Sequence, residues 1–350
     1  MNTIAIDLGD KVIEYLAKKL QVEDVWSARE SRKLTWWPYR LAVTIWADPM
    51  REDRGHFLSK ISAKTNVLKN VPRTERTLAT LAFVNAEAML NRYVYDPASM
   101  KVSLECAVYV HEGTESWLMP YFAEAVAMQA AQAHAELASL ADTFGAEPDV
   151  SHPPVAPRSM PDEMLDILRF IRAKGDEPSP FLGEDCARIE GICRQFGLVG
   201  TSDQGGATVE FEFPGGFPSS TLLKIQADIK HPKIGSGALL IMKVPTVPGV
   251  QQDFKLINRL NLEESREWNA VRCFGAWCCD VQAKNPERAI AYMSFIPSTA
   301  RKGGLLDNEV IMMAVRSRWL HSRFQLPANA PCDTPVRFSF LNAFMKKLRK

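Results

Sequence analysis

The chain begins with residues that invite a chemical reading. The stretch TIAIDLGDK places an aspartate two residues before a glycine after an apolar run, as a phosphate-binding strand and loop would. Such a loop needs a β-hairpin behind it, so that backbone amides and hydroxyls can surround phosphate. Here Asp10 and a helical pattern over 11–20 follow at once, and no hydroxyl follows Gly9. Asp7 or Asp10 is therefore expected to cap that helix or to supply an acid to its first turn. The glycine clusters at 205–206, 215–216, 235–237 and 303–304 lack the spacing of a nucleotide loop and read as turns. The six histidines occupy separate segments, and none pairs at i,i+4 with another histidine or with a glutamate in a metal motif. Cys273, Cys278 and Cys279 do not form C-x-x-C, and no serine stands in a nucleophile elbow. Glu263 and Glu264 read as the solvated face of a helix. No catalytic, cofactor-binding or metal-ligating residue is assigned.

The aromatic residues carry more. Trp36, Trp37 and Trp46 cluster near a strand over 41–47, and Trp46 falls on its less apolar face beside Thr44. The four residues are the candidate partner-binding set. An indole on a solvent-facing sheet offers a large, rigid contact. The competing reading makes Trp46 core, covered by a helix or the tail. The tail itself, FSFLNAFMKKLRK at 338–350, sets Phe340, Leu341, Phe344, Met345 and Leu348 at helical spacing beside four basic residues. It suits docking on its own domain or a second subunit, engagement of another protein, or contact with an anionic surface.

The elements that must position these residues fall into two similar runs. With 350 residues, the chain is long for one core and comfortable for two domains. Forty-two basic residues against 41 acidic ones give a net charge of +1, so no global field draws in nucleic acid or anionic membrane. No stretch approaches the ~20 apolar residues of a membrane span, and the opening segment lacks a basic region before its apolar residues. Seven cysteines, an odd number set in apolar patterns, point to reduced core thiols and a cytoplasmic location.

Leu8, Val12, Ile13, Leu16 and Leu20 recur at helical spacing. Strands alternate over 41–47, 57–67 and 102–108, with Lys33–Trp37 as a further strand; helices are expected at 75–90 and 116–140. The second run has a helix at 184–196, strands at 207–213, 220–230 and 238–244, a helix at 249–265, strands at 269–281 and 288–296, and a helix at 306–324. A constant offset aligns Val43, Ile45, Ala47 and Asp48 with Leu223, Ile225, Ala227 and Asp228. Another aligns Val102, Leu104 and Val108 with Ile290, Tyr292 and Ile296, and runs on into the last helix. Asn85 and Asn258 fall alike in the middle helices. The expected fold is α+β, with two tandem α-β-β-β-α-β-β-α units, antiparallel sheets packed by helices, and a pseudo-dimer in one chain. Its parts are repeat 1 (1–144), a proline-rich linker with a short helix (145–180), repeat 2 (181–326) and a basic amphipathic tail (327–350).

This order, with its long closing helices, resembles the fold shared by bacterial type III secretion chaperones and YbjN-like proteins. The segment FKLINRLNLEESREWNAVRCFG at 254–275 is similar to that family's middle helix and its turn into the next strand. The strand, short loop and long helix at 102–140 and 290–324 are similar too, so the resemblance covers about 1–140 and 184–324. It implies a non-catalytic protein that binds a protein or an extended peptide. It also implies that one chain supplies what the chaperones build as a dimer, as a monomeric pseudo-dimer or a homodimer. The alternatives are an enzyme whose site forms between the halves and, less favoured on charge, a nucleic-acid-binding protein. No cofactor is expected.

Overall fold

The computed structural model describes residues 7–53, 56–87, 90–166, 184–203, 205–212, 220–247, 249–267, 274–298 and 305–324. The opening helix α1 (Leu8–Lys19) starts where Asp7 turns its carboxylate onto the Gly9 amide at 2.8 Å. Asp10, in its first turn, accepts from the Arg32 backbone at 2.9 Å. Both aspartates thus serve the helix start and its docking, as the sequence suggests.

Five strands follow: β1 (Ser27–Glu30), β2 (Lys33–Trp36), β3 (Val43–Ala47), β4 (Arg51–Asp53) and β5 (His56–Lys69). After α2 (Glu75–Val84) and a 3-10 turn at Asn85–Glu87 come β6 (Arg92–Asp96), β7 (Lys101–Val110), α3 (Glu115–Phe144) and the two-residue β8 (Glu147–Pro148). The second half contains α4 (Glu184–Phe196), β9 (Val199–Asp203), β10 (Gly206–Glu212), β11 (Ser220–His231), β12 (Gly235–Lys243), α5 (Phe254–Arg266), β13 (Ala276–Cys279), β14 (Ile290–Pro297) and α6 (Leu305–Arg323).

The fold is α+β with two antiparallel sheets. Their orders are β1-β2-β3-β5-β7-β6 and β9-β10-β11-β12-β14-β13, so the second sheet repeats the path of the first. The registers repeat as well. Glu30, Lys33, Trp46, Ser62 and Ala107 stand opposite one another in turn across the first sheet. Asp203, Gly206, Gln226, Leu239 and Phe295 do so across the second. At the far edges Tyr93 faces Leu104, and Trp277 faces Tyr292. The offsets read from Val43 and Val102 are thus the ones the ladders use. Before its middle helix the first half carries two strands more than the sequence pattern indicated, β1 and the short β4, and the second half carries one more, β9.

One face of each sheet is apolar and covered by its first and last helices. In the first half Val12 and Leu16 of α1 join Val43, Ile45 and Leu104 in the core. The alanine-rich α3 lies close enough for Gln129 to donate to Thr65 and to accept from the Cys106 thiol. Small side chains permit that approach. Gly145 ends α3 in the left-handed conformation that glycine adopts without a Cβ penalty. The proline-rich segment after it is tied to the first half. β8 pairs with the end of β5, Ser151 donates its amide to Arg40 O, and Asp162 to Pro38 O. Of the short helix expected after it, the 3-10 turn Glu163–Asp166 is described. The remainder of that linker and the tail 327–350 lie outside the described residues.

The halves meet through α2 and α5, which pack together, and through the sheet edges β6 and β13. Asparagines close those edges. Asn85 donates to Tyr93 O at 2.9 Å and accepts from Tyr93 N at 2.8 Å. Asn261 treats Trp277 in the same way, at 2.8 and 2.9 Å. A side-chain amide offers one donor and one acceptor in the geometry of a neighbouring strand, so each clamp satisfies an edge residue without extending the sheet. Asn85 therefore answers to Asn261. The sequence pairing of Asn85 with Asn258 is corrected by one helical turn, because Asn258 crosses the interface and clamps Tyr95 at 3.1 and 3.0 Å.

Candidate binding surface

The strand period of two decides where the four candidate residues point. In β2, Leu34 and Trp36 turn to the core with Val43 and Ile45, and Trp36 is fully buried. Trp37 is buried as well and donates its indole N–H to Ser151 Oγ at 3.2 Å. These two are structural, which corrects their place in the partner-binding set: a buried indole presents no surface to a partner. Thr44 and Trp46 lie on the opposite face, half-buried, beside Thr35 and Lys33 of β2 and Ser62 and Lys64 of β5. The structure thus brings Thr44 and Trp46 together and sets Trp36 and Trp37 apart from them.

Further across the same face the side chains are polar and covered by the second half. Lys60, almost wholly buried, donates to the carbonyls of Ser265 and Glu267 at 2.7 and 2.9 Å. Its ammonium sits at the end of α5, where the helix dipole favours a cation. The Tyr109 hydroxyl also donates to Glu267 O, at 3.1 Å. Burial alone would raise the Glu105 carboxyl, but Lys64, the Ser103 hydroxyl and Arg92 together hold it below its ordinary value.

Beside Glu105 lies the feature that sequence reasoning missed. Glu264, read as solvated, is 0% exposed. Its two oxygens take Arg92 Nη1 of the first half and Arg316 Nε of the second, each at 2.7 Å. Both arginines are buried, and the Arg316 guanidinium lies 3.7 Å from the centre of the Tyr292 ring. The signal was present: Ile257, Leu260, Asn261 and Glu264 share one helical stripe, so an amide and a carboxylate stand on the apolar face of α5.

The second sheet offers a contrasting surface where Trp46 has its counterpart. Gln226 stands in place of Trp46, Lys224 in place of Thr44, and Gly206 in place of Lys33. A side chain at Gly206 would collide with the Ile225 carbonyl oxygen, and beside this glycine lies an open groove of about 420 Å³ lined by Thr201, Thr208, Lys224 and Gln226.

Other ionisable groups cluster where the β11–β12 hairpin reaches the first half. A bulge at Asp228 re-aims β11 so that His231 Nε2 lies 2.7 Å from Glu87 O, while Lys233 pairs with Glu87 and Glu136. Burial, then the Glu136 carboxylate bound to its hydroxyl at 2.6 Å, pushes the Tyr93 phenol well above its usual range. Burial raises the Cys278 thiol strongly and the Cys279 thiol to about 11. Among the described residues no group of histidines, cysteines or carboxylates is placed to hold a metal ion, and no helix is long and apolar enough to cross a membrane. Comparison with protein-family models, curated proteins and solved structures finds no match to this chain.

Proposed function

We propose that this chain is a non-catalytic, adaptor-like protein that holds an extended segment of a partner protein against the outer face of its first sheet. The observation that carries this reading is the half-buried Trp46 beside Thr44, on a face whose neighbouring strands supply hydroxyls and ammonium groups. An aromatic side chain set on a rigid strand supplies contact area at low entropic cost, and the polar row around it can meet a peptide backbone. The resemblance to type III secretion chaperones and YbjN-like proteins supports the same reading, because two like units in one chain present the surfaces of a dimer. Among the described residues Cys106, Cys193, Cys278 and Cys279 are buried free thiols, which supports a reducing, cytoplasmic setting.

The test is affinity capture with the full chain and with Trp46→Ala. The wild type should retain a stoichiometric protein partner, and Trp46→Ala should lose it by tenfold or more, about 1.4 kcal/mol, while melting as the wild type does. A chain that captures nothing, or a variant that captures equally well, sinks the proposal.

A further inference from the structure

The two halves are joined by an interface whose two pseudo-equivalent sides differ in chemistry. On one side, α5 of the second half meets the outer face of the first sheet. Asn258 clamps Tyr95, Glu264 binds Arg92, and the Ser265 and Glu267 carbonyls receive Lys60. On the other side, the places corresponding to Arg92, Tyr95 and Lys60 hold Ala276, Cys279 and Gly237, and that of Asn258 holds Ala82. There the contacts are the Cys279 thiol against Ala82 O at 3.6 Å, Phe83 tilted against Phe254 nearby, and, at the hairpin end, His231 on Glu87 O and Lys233 on Glu87 and Glu136. Arg316, which completes the ionic cluster, has Met128 as its counterpart in α3.

We infer that the polar side is a pairing code that makes the first half select the second half and refuse a second copy of itself. The argument is one of what each wrong pairing would bury. Two first halves together would turn the Tyr95 backbone towards Ala82, where Asn258 stands in the native pairing, and would take Glu264 away from Arg92. Two second halves together would turn Glu264 towards Ala276, which carries no cation. Each arrangement strips partners from groups that are already out of water, and a buried charge that loses a partner is costly. Pairing unlike halves gives Arg92, Glu264 and the Tyr95 backbone a partner at once. A buried ionic cluster adds little net stability over an apolar one, so its effect lies in discrimination.

The experiment nicks the folded full chain. A protease site introduced at Val155, which is 74% exposed in the proline-rich segment after α3, separates the halves covalently. The nicked protein is unfolded in urea, refolded by dilution, and its species are counted by native mass spectrometry. Unlike pairs should exceed like pairs by at least about tenfold. Arg92→Met/Glu264→Leu/Arg316→Met, nicked in the same way, should lose that preference while melting no lower than the wild type. Random pairing in the nicked wild type overturns the inference, as does failure of its halves to rejoin. Full selectivity in the triple variant also overturns it, since shape and not charge would then set the pairing. Should the triple variant fail to fold, Arg92→Met alone serves: selectivity equal to the wild type's overturns the inference, and a reduced preference for unlike pairs supports it.

Discussion

The two sides of the inter-half interface are built on the same backbone and differ in almost every polar side chain. Both have a middle helix laid against a sheet edge, and both close that edge with an asparagine, Asn85 on Tyr93 and Asn261 on Trp277. One side then adds Asn258, Glu264, Arg92 and Lys60, where the other has Ala82, Ala276 and Gly237. What is common to both sides is what the backbone requires, because edge amides and carbonyls must be paired wherever they are buried. What differs is free to encode which surface goes with which.

The largest effect that sharpens this contrast is at Glu264. Glu264→Leu leaves two buried guanidinium groups without their shared carboxylate and should cost about 3–5 kcal/mol. Replacing the whole cluster, with Arg92→Met and Arg316→Met added, should recover all of that loss. Urea denaturation of the three proteins reads both numbers. A loss below about 1 kcal/mol for Glu264→Leu, the scale of a surface pair, would make the two sides energetically alike and break the comparison.

Smaller and more even effects are expected at the clamps. Asn85→Ala and Asn261→Ala each leave a buried N–H and C=O unpaired, at about 1–3 kcal/mol per variant. Hydrogen exchange locates the damage: the Tyr93 amide should lose protection in the first variant and the Trp277 amide in the second. Equal losses support the equivalence of the two asparagines. If Asn258→Ala exposes Trp277 and Asn261→Ala does not, the assignment of counterparts is wrong.

These residues also mark where sequence stopped being legible. Alternation in 43–47, 207–212 and 223–229 located strands and told Trp46 from its core neighbours, because one face of each strand is dry. It missed β9, whose Val199-Gly200-Thr201-Ser202-Asp203 has no apolar face and whose Val199 is 66% exposed. It gave no place to β6, where Arg92, Tyr93, Val94 and Tyr95 are all buried because the second half covers the outer face as the core covers the inner. Glu264 was misread for the same reason. A helix stripe shows which residues share a side, but only the docked second half shows that this side is without water. The candidate surface was half legible: the strand period placed Thr44 and Trp46 correctly, while the adjacent Trp36 and Trp37 were grouped by proximity in sequence, which says nothing about face.

The smallest expected effect concerns acid. His231 Nδ1 accepts from the Lys233 amide at 3.1 Å, which leaves Nε2 to donate to Glu87 O, so the ring is held neutral between the halves. Burial, with Lys233 beside it, keeps its pKa below the ordinary histidine value, although Glu87 pulls the other way. A histidine whose folded pKa is depressed stabilises the protein above the unfolded value of about 6.5 and loses that contribution as pH falls below it. His134 and His321 are lowered by burial too, so the wild type should weaken progressively from about pH 7 to 5.5, above the range where carboxylates titrate. His231→Gln keeps a polar group at the site and removes one titration, so its stability at pH 7 should be slightly lower and its slope over that window shallower. Thermal melts of the two proteins at half-unit pH steps measure the difference. An unchanged slope would mean that the β11–β12 hairpin opens before the imidazole is protonated, and that this contact between the halves is weaker than the ones made by α5.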